Sequence, residues 1–267
     1  MRGRTTLATV AMLATVWAAQ GEAIAATTTD PGTGTGTGTT TTTTGTGTGT
    51  TTTTGTGATT GTGTTTPAKP KPKPLKLTKT VLKSVEKKLD DLGLPVGTVD
   101  GDISTRTDQA LCAWRDMNGL KITRKGVDVP LATSILAATK KPKADRPDGI
   151  YVDKTCQVLI QVVKGKYKRI VWVSTAGHGY DTPNGTGKVW RKISGWHESS
   201  LYADAYMYDS IYFRTDRPGI ALHGSATNDL VHTYPDSHGC VRVWRPDIAK
   251  VFAETPIGTR VKVYGKY

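Results

Sequence analysis

Two short segments near the C-terminus hold the residue types of a cysteine nucleophile and its histidine base. One is the run SHGCVRV at 237–243, and the other, upstream of it, is the pair His223-Gly224. A thiol becomes a good nucleophile near neutral pH only when a base or a positive charge lies beside it. The glycine before Cys240 permits a sharp turn that brings backbone N–H groups close to a reacting carbonyl. The pattern predicts acyl transfer through a cysteine.

A zinc site is the metal-ion alternative for the same part of the chain. Its ligands would be His223, His232, His238 and Cys240. Their spacing is irregular and contains no CxxC or HExxH motif, so we expect no metal there. We assign no role to His178 and His197, which lie in polar sequence. Asp236 is interpreted as a turn-forming residue.

The cysteine count bears on the nucleophile. The chain has three cysteines, and exported proteins tend to pair them, which leaves one over. A disulfide between Cys112 and Cys156 would tie the two folded parts of the chain together. It would also leave Cys240 as a free thiol. Three free thiols are the alternative.

The N-terminus predicts export. Arg2 and Arg4 precede an apolar run at 7–19, and small residues follow at 23–25. The run is too short for a membrane span, which needs about 20 residues. We predict a signal peptide at 1–25, with an uncleaved anchor as the alternative. The protein is expected in the cell wall, the periplasm or on the outer side of the membrane.

Residues 26–75 are predicted to be a disordered linker. Threonine and glycine make up nearly all of 27–66, and proline then alternates with lysine and alanine over 67–74. Such sequence has too little apolar surface to offset the entropy of ordering it. The proline-rich end favours a stiffer, polyproline-like spacer.

The formal net charge of +13 is large, and lysines cluster where the linker meets the folded part. Basic runs of this kind suggest nucleic acid, anionic lipid or an acidic polymer as a partner. Export argues against nucleic acid. An anionic wall polymer or a membrane surface fits better, and a solvated lysine face is the alternative.

The first folded part, 76–145, is predicted to be a small three-helix bundle. Its first helix carries apolar residues at helical spacing, namely Val81, Val85, Leu89 and Leu92. A second helix is predicted to begin at Ser104 or Thr105 and to end near Asn118. A third is predicted over 131–138.

The second folded part, 146–267, is predicted to be mostly β. Strand-like runs occupy 157–163, 169–173, 220–222 and 259–264, and a short helix is expected from Pro246 to Glu254. Many short strands with one helix favour a β-sandwich or a barrel-like domain. The chain is therefore predicted to be a multidomain α and β protein.

Two segments of the sequence resemble known protein families. The run IALHG at 220–224, followed by SHGCVR at 237–242, strongly resembles the L,D-transpeptidase (YkuD-type) catalytic domain. The segment 85–114 resembles the peptidoglycan-binding-type helical domain that precedes many wall enzymes. This copy has a slightly shorter loop before Ser237 than many members, and it has Arg242 where some members have asparagine.

The first resemblance implies catalytic roles. Cys240 would be the nucleophile, His223 the base, and the backbone carbonyl of Gly224 the group that orients the histidine. Backbone N–H groups of Cys240, Gly239 and His238 would hold the oxyanion. Such enzymes need no cofactor.

The resemblance also implies a substrate and its contacts. Arg242 and Ser237 would contact the peptidoglycan stem peptide, and Arg242 suits a carboxylate. An aromatic segment lies where the family has a lid over the site. From it we predict that Tyr208 and Tyr212 line the donor pocket, with a buried strand as the alternative.

The implied reaction releases D-alanine from a tetrapeptide stem and forms a 3–3 cross-link with a second stem. Hydrolysis of the same thioester would give L,D-carboxypeptidase activity, and carbapenems would acylate the thiol. The protein would act as a monomer on donor and acceptor stems. A non-catalytic wall-binding module is the rival function.

Overall fold

The computed structural model describes residues 74–267 of the 267-residue chain. The predicted signal peptide at 1–25 and nearly all of the predicted linker at 26–75 lie outside the described residues. The described residues form a helical region followed by a large β-sheet with one further helix.

The helical region contains α1 (Lys79–Asp91), α2 (Thr105–Met117) and α3 (Val129–Ala137). Each helix begins after a residue whose side-chain oxygen accepts a hydrogen bond from the first turn. These residues are Thr78, Ser104 and Asp128. Such caps satisfy backbone N–H groups that have no partner inside the helix, which explains where each helix starts.

The sheet follows the helical region. Its strands are β1 (Gly149–Asp153), β2 (Val158–Val163), β3 (Lys166–Ser174), β4 (Gly185–Lys188), β5 (Arg191–Glu198), β6 (Tyr206–Tyr212), β7 (Ala221–Gly224), β8 (Val241–Val243) and β9 (Arg260–Tyr264). The strand order is β4-β9-β1-β2-β3-β8-β7-β6-β5. Helix α4 (Arg245–Ala253) follows β8 directly. The second folded part is therefore mostly β, as predicted.

Both faces of β1–β3 are covered. Alternate residues, including Tyr151, Val158 and Ile160, belong to the core that the helical region forms. The intervening residues, including Ile150 and Leu159, belong to a second core that contains α4 side chains. Burial on both faces explains why these strands are apolar runs rather than alternating patterns.

Covalent and polar bonds join the helical region to the sheet. Cys112 of α2 forms a disulfide with Cys156, which lies between β1 and β2. Asp116 of α2 forms an ion pair with Arg146 at 3.0 Å and accepts a 2.6 Å hydrogen bond from the hydroxyl of Tyr264 in β9. The helical region and the sheet thus share a core and belong to one compact unit.

No helix in residues 74–267 is both long enough and apolar enough to span a membrane.

Candidate active site

The two segments that predict the chemistry meet on adjacent parallel strands. In the β7–β8 register, Leu222 lies opposite Val241 and His223 lies opposite Arg242. Because side chains alternate between the faces of a strand, His223 and Cys240 project from the same face. Both line a cleft of about 220 Å³. The parallel pairing therefore brings the predicted base and nucleophile together.

His223 is held as a neutral base. Its Nδ1 lies 3.0 Å from the carbonyl oxygen of Gly224. Since a carbonyl can only accept, Nδ1 carries the hydrogen and Nε2 keeps a lone pair. Burial lowers the pKa of His223 to about 4, and the positive charge of Arg242 acts in the same direction. At neutral pH the ring is therefore unprotonated, and the lone pair on Nε2 is available.

Cys240 is held as a protonated thiol. Its Sγ donates to the carbonyl oxygen of Gly219 at 3.4 Å. Burial raises the pKa of Cys240, while the backbone N–H of Ala221 and the charge of Arg242 oppose that effect. A buried neutral thiol needs a base during attack, and this is the role that His223 can fill.

The turn before Cys240 depends on glycine. Gly239 has a φ of +132°, and a Cβ there would lie 3.1 Å from Cδ1 of Ile220. The carbonyl of Gly239 accepts a 2.8 Å hydrogen bond from the hydroxyl of Thr182. Glycine adopts this φ without the strain that a side chain would cause, and the hydrogen bond from Thr182 fixes the Gly239 carbonyl. Together these two features set the backbone direction just before the nucleophile.

Ser237 is committed to the same turn. It is 2% exposed, its hydroxyl donates to the carbonyl of Cys240, and it accepts a 3.3 Å hydrogen bond from the N–H of Gly239. The structure thus places Ser237 at the cleft but uses its hydroxyl to shape the turn. Its contact with substrate, and the oxyanion role of Gly239, stay predictions.

His238 lies at the surface between two aromatic rings. Its ring is 4.5 Å from Tyr180 and 5.2 Å from Tyr202, measured between centroids. The hydroxyl of Tyr202, in the β5–β6 connection, also donates to the carbonyl of His238 at 3.1 Å. His238 therefore joins the nucleophile turn to the β5–β6 connection.

Arg242 lines the cleft but is already paired. Its Nη1 lies 3.1 Å from Oδ2 of Asp236 and 3.4 Å from the carbonyl oxygen of Leu230. Nε2 of His232 lies 3.3 Å from the same carboxylate oxygen. A substrate carboxylate would have to share Arg242 with Asp236, whose side chain holds the guanidinium at the cleft.

The structure does not bring Tyr208 to the cleft. A bulge at Asp209, which has a φ of +49°, interrupts the two-residue alternation of β6. As a result Tyr208 packs in the core that contains Ile248, on the opposite face of the sheet from Cys240. The prediction for Tyr208 is corrected, because a bulge of this kind reverses which residues face the site.

Tyr212 and other β5–β6 residues occupy the site face instead. Tyr212 is buried and packs with Met207 and Ala221, and Cys240 packs against this cluster. Tyr202, Tyr206 and Met207 are among the residues that line the cleft. Tyr212 is not among the residues that line the cleft, so the prediction for it is also corrected: it is a buried strand residue that packs against Cys240.

Sequence reasoning missed His197. It lies opposite Met207 in the β5–β6 register and therefore shares the face that carries Cys240. The available signal was its alternation with exposed Trp196 and Glu198. A register shift between Ile193 and Trp196 interrupts the alternation of β5, so the remaining alternating run is too short to predict a strand.

The four side chains of the zinc alternative do not form a ligand cluster. Within residues 74–267, three ligand atoms approach one another only at Cys112, Asp153 and Cys156, and the two sulfurs there are joined in a disulfide.

Residues 147–263 match the family model described as the L,D-transpeptidase catalytic domain (YkuD). No curated protein matches the chain significantly.

Several solved structures are similar to the chain. An L,D-transpeptidase from Xylanimonas cellulosilytica is 32% identical, with 68% of this chain and 92% of that chain covered and a TM-score of 0.48. The corresponding values for an L,D-transpeptidase from Stackebrandtia nassauensis are 27%, 69%, 91% and 0.43. For L,D-transpeptidase 3 from Mycobacterium tuberculosis, in complex with a faropenem-derived adduct, they are 17%, 43%, 59% and 0.38.

Proposed function

Because residues 147–263 belong to the L,D-transpeptidase (YkuD) catalytic domain family, we propose that this protein cross-links peptidoglycan through an acyl-enzyme on Cys240. One observation supports this above the others. The parallel β7–β8 register sets His223, oriented by the Gly224 carbonyl, on the same face as the thiol of Cys240.

The first half-reaction acylates the enzyme. Nε2 of His223 takes the thiol proton as Sγ of Cys240 attacks the carbonyl carbon of the third stem residue. Backbone N–H groups of Cys240, Gly239 and His238 stabilise the negative oxygen of the tetrahedral intermediate. The C–N bond then breaks, and His223 returns its proton to the leaving amine, which departs as D-alanine.

The second half-reaction transfers the acyl group. The side-chain amine of a second stem loses a proton to His223 and attacks the thioester carbonyl. The C–S bond breaks, the sulfur regains its proton, and a 3–3 cross-link results. Attack by water instead gives L,D-carboxypeptidase activity. A carbapenem would acylate the same sulfur through its strained amide.

The remaining parts of the chain fit an exported wall enzyme. In this proposal residues 1–25 direct export and 26–75 provide reach. The helical region carries exposed lysines on α1, among them Lys79, Lys83 and Lys87, which would face anionic wall polymers. The helical region itself would act as a peptidoglycan-binding module, and the protein would act as a monomer.

Mass spectrometry of the reaction products tests the function. The full-length protein is incubated with a purified disaccharide-tetrapeptide, and Cys240→Ala is run in parallel. A dimer lacking one D-alanine, absent in the variant, is the expected product. Monomer lacking D-alanine would indicate the carboxypeptidase.

The same experiment separates the rival function. Unchanged substrate with a folded wild-type protein would reject the transpeptidase. Binding of both proteins to insoluble peptidoglycan, without any product, would then favour a non-catalytic wall-binding module.

A further inference from the structure

The connection between β7 and β8, residues 225–236, forms part of the cleft and leads directly into the nucleophile turn. Ser225, Ala226 and Leu230 line the cleft, and Ser237 follows the connection without a break. Apart from a short 3₁₀ turn at Asn228–Leu230, the connection has no regular structure. Its backbone carbonyls therefore need partners from elsewhere.

Two of those partners are arginines of the helical region. Nη2 of Arg106, in α2, donates to the carbonyl of Val231 at 2.5 Å. Nη1 of Arg124, between α2 and α3, donates to the carbonyl of Thr233 at 2.5 Å. Hydrogen bonds from a charged donor are among the stronger ones in proteins. Two residues of the connection are thus held by charged groups from a different part of the fold.

Both guanidinium groups are fixed in place on their own side. Arg106 also donates to Oε1 of Gln109 at 3.1 Å and stacks over Trp172 at 4.3 Å. Arg124 also donates to the carbonyl of Thr105 at 3.2 Å. Because their positions are already set, little further ordering is needed to hold the connection.

The sheet holds the neighbouring carbonyls. Ser174 of β3 donates to the carbonyl of Tyr234 at 2.8 Å, and Arg242 of β8 lies 3.4 Å from the carbonyl oxygen of Leu230. Four carbonyls within residues 230–234 therefore have side-chain partners, two from the sheet and two from the helical region. The connection is clamped from both sides.

The helical region can hold the connection in place because it is itself attached to the sheet at independent points. The Cys112–Cys156 disulfide fastens the same helix that carries Arg106. Nε2 of Gln109 also donates to the carbonyl of Gln157 at 2.8 Å. A displacement of α2 would therefore move the connection relative to Cys240.

We infer that Arg106 and Arg124 are positioning residues for the active site, and that the helical region holds the β7–β8 connection in the geometry catalysis requires. This inference rests on the proposed function for its catalytic consequence. It gives the helical region a role in turnover that is separate from binding to the wall.

The test uses the full-length protein and the variants Arg106→Gln, Arg124→Gln and their combination. Hydrogen–deuterium exchange should increase in residues 225–236. kcat should fall roughly ten- to hundredfold in the double variant, because small misplacements of reacting groups are costly. KM should change less than kcat. Arg106→Lys, which keeps a positively charged donor, should lose less kcat than Arg106→Gln.

Tyr264→Phe is the matched control. It removes the Tyr264–Asp116 hydrogen bond, which joins the helical region to β9 and does not involve the connection. We expect it to lower the melting temperature while leaving exchange in 225–236 and kcat unchanged. A double arginine variant with wild-type kcat, or a control that loses kcat equally, would overturn the inference.

The two readouts separate the inference from the proposed function. Exchange in 225–236 requires no turnover. If the arginine variants exchange faster in 225–236 but the wild-type protein is inactive, the transpeptidase function is rejected and the positioning role of Arg106 and Arg124 stands. If the wild-type protein is active and residues 225–236 exchange equally fast in the wild type and in all variants, only the positioning role is rejected.

Discussion

Nε2 of His197 lies 3.4 Å from the hydroxyl oxygen of Tyr212, the tyrosine that packs beneath the nucleophile. Nδ1 of His197 lies 3.3 Å from the carbonyl oxygen of Gly195 and therefore carries the hydrogen. Nε2 is then the acceptor, and Tyr212 donates to it. The packing of Cys240 thus involves a histidine on β5, which is three strands from β8 in the sheet.

His197→Ala tests this relationship. The variant leaves the hydroxyl of buried Tyr212 without its acceptor, which should lower the free energy of unfolding by about 1–3 kcal/mol. Tyr212→Phe removes the hydroxyl together with its need for a partner and should cost less. Urea unfolding of both variants measures the difference. An equal or smaller cost for His197→Ala would show that the hydrogen bond is unimportant.

The low pKa of His223 predicts a pH dependence of stability. Burial lowers the pKa from 6.5 to about 4, so the unfolded state binds more protons between these values. Stability from this group is fully present above pH 6.5 and is lost as the pH falls towards 4, by about 3 kcal/mol at most.

His223→Gln is the reference for that measurement. Subtracting its unfolding free energy at each pH removes the contribution of other groups, such as Asp153, whose pKa burial raises to about 6. The difference between the wild type and the variant should shrink as the pH falls from 6.5 to 4. A difference that is constant across this range would mean that the ring is not desolvated.

Gly239→Ala should inactivate the protein. A side chain at a φ of +132° is strained, and its Cβ would contact Ile220, so we expect a cost on the order of 1–3 kcal/mol and a displaced Cys240. Gly165→Ala is the control, because Gly165 also has a positive φ but lies in the β2–β3 hairpin with no atom within 4 Å of its Cβ position. The control should lose stability and keep its turnover. Turnover in Gly239→Ala at the wild-type rate would contradict the role of the turn.

Two tyrosine variants test which aromatic side chain of the 202–212 segment meets the substrate. Tyr202→Phe removes the hydrogen bond to the His238 carbonyl and should lower kcat/KM by roughly two- to tenfold. Tyr208→Phe alters a ring on the opposite face and should leave kcat and KM unchanged. Steady-state kinetics distinguish the two tyrosines, and the reverse pattern would return Tyr208 to the donor pocket.

The Cys112–Cys156 disulfide leads to two measurable predictions. Labelling under denaturing, non-reducing conditions should count one free thiol, that of Cys240, and three after reduction. Replacing Cys112 and Cys156 by alanine should lower the free energy of unfolding by about 4 kcal/mol in the chain-entropy model, for a separation of 44 residues. Three labelled thiols without reduction would refute the pairing.

Local features of the sequence were sufficient to predict the helices and to single out a cysteine and a histidine that line one cleft. The capping residue Ser104 acts within one helical turn, so it predicts the start of α2 without knowledge of the fold. The turn at Gly239 likewise depends on neighbours in the chain, because only glycine adopts its φ without strain. The sequence by itself therefore determined which cysteine, histidine and glycine turn are the candidates for the proposed reaction.

The tertiary structure alone decided which side chains surround these residues. The bulge at Asp209 reversed the alternation of β6, so Tyr212 faces the site and Tyr208 does not. The contacts of Arg106 and Arg124 with the β7–β8 connection join residues 125 and 109 positions apart. Contacts at such separations depend on strand register and on how helices pack on a sheet, which local propensity does not encode.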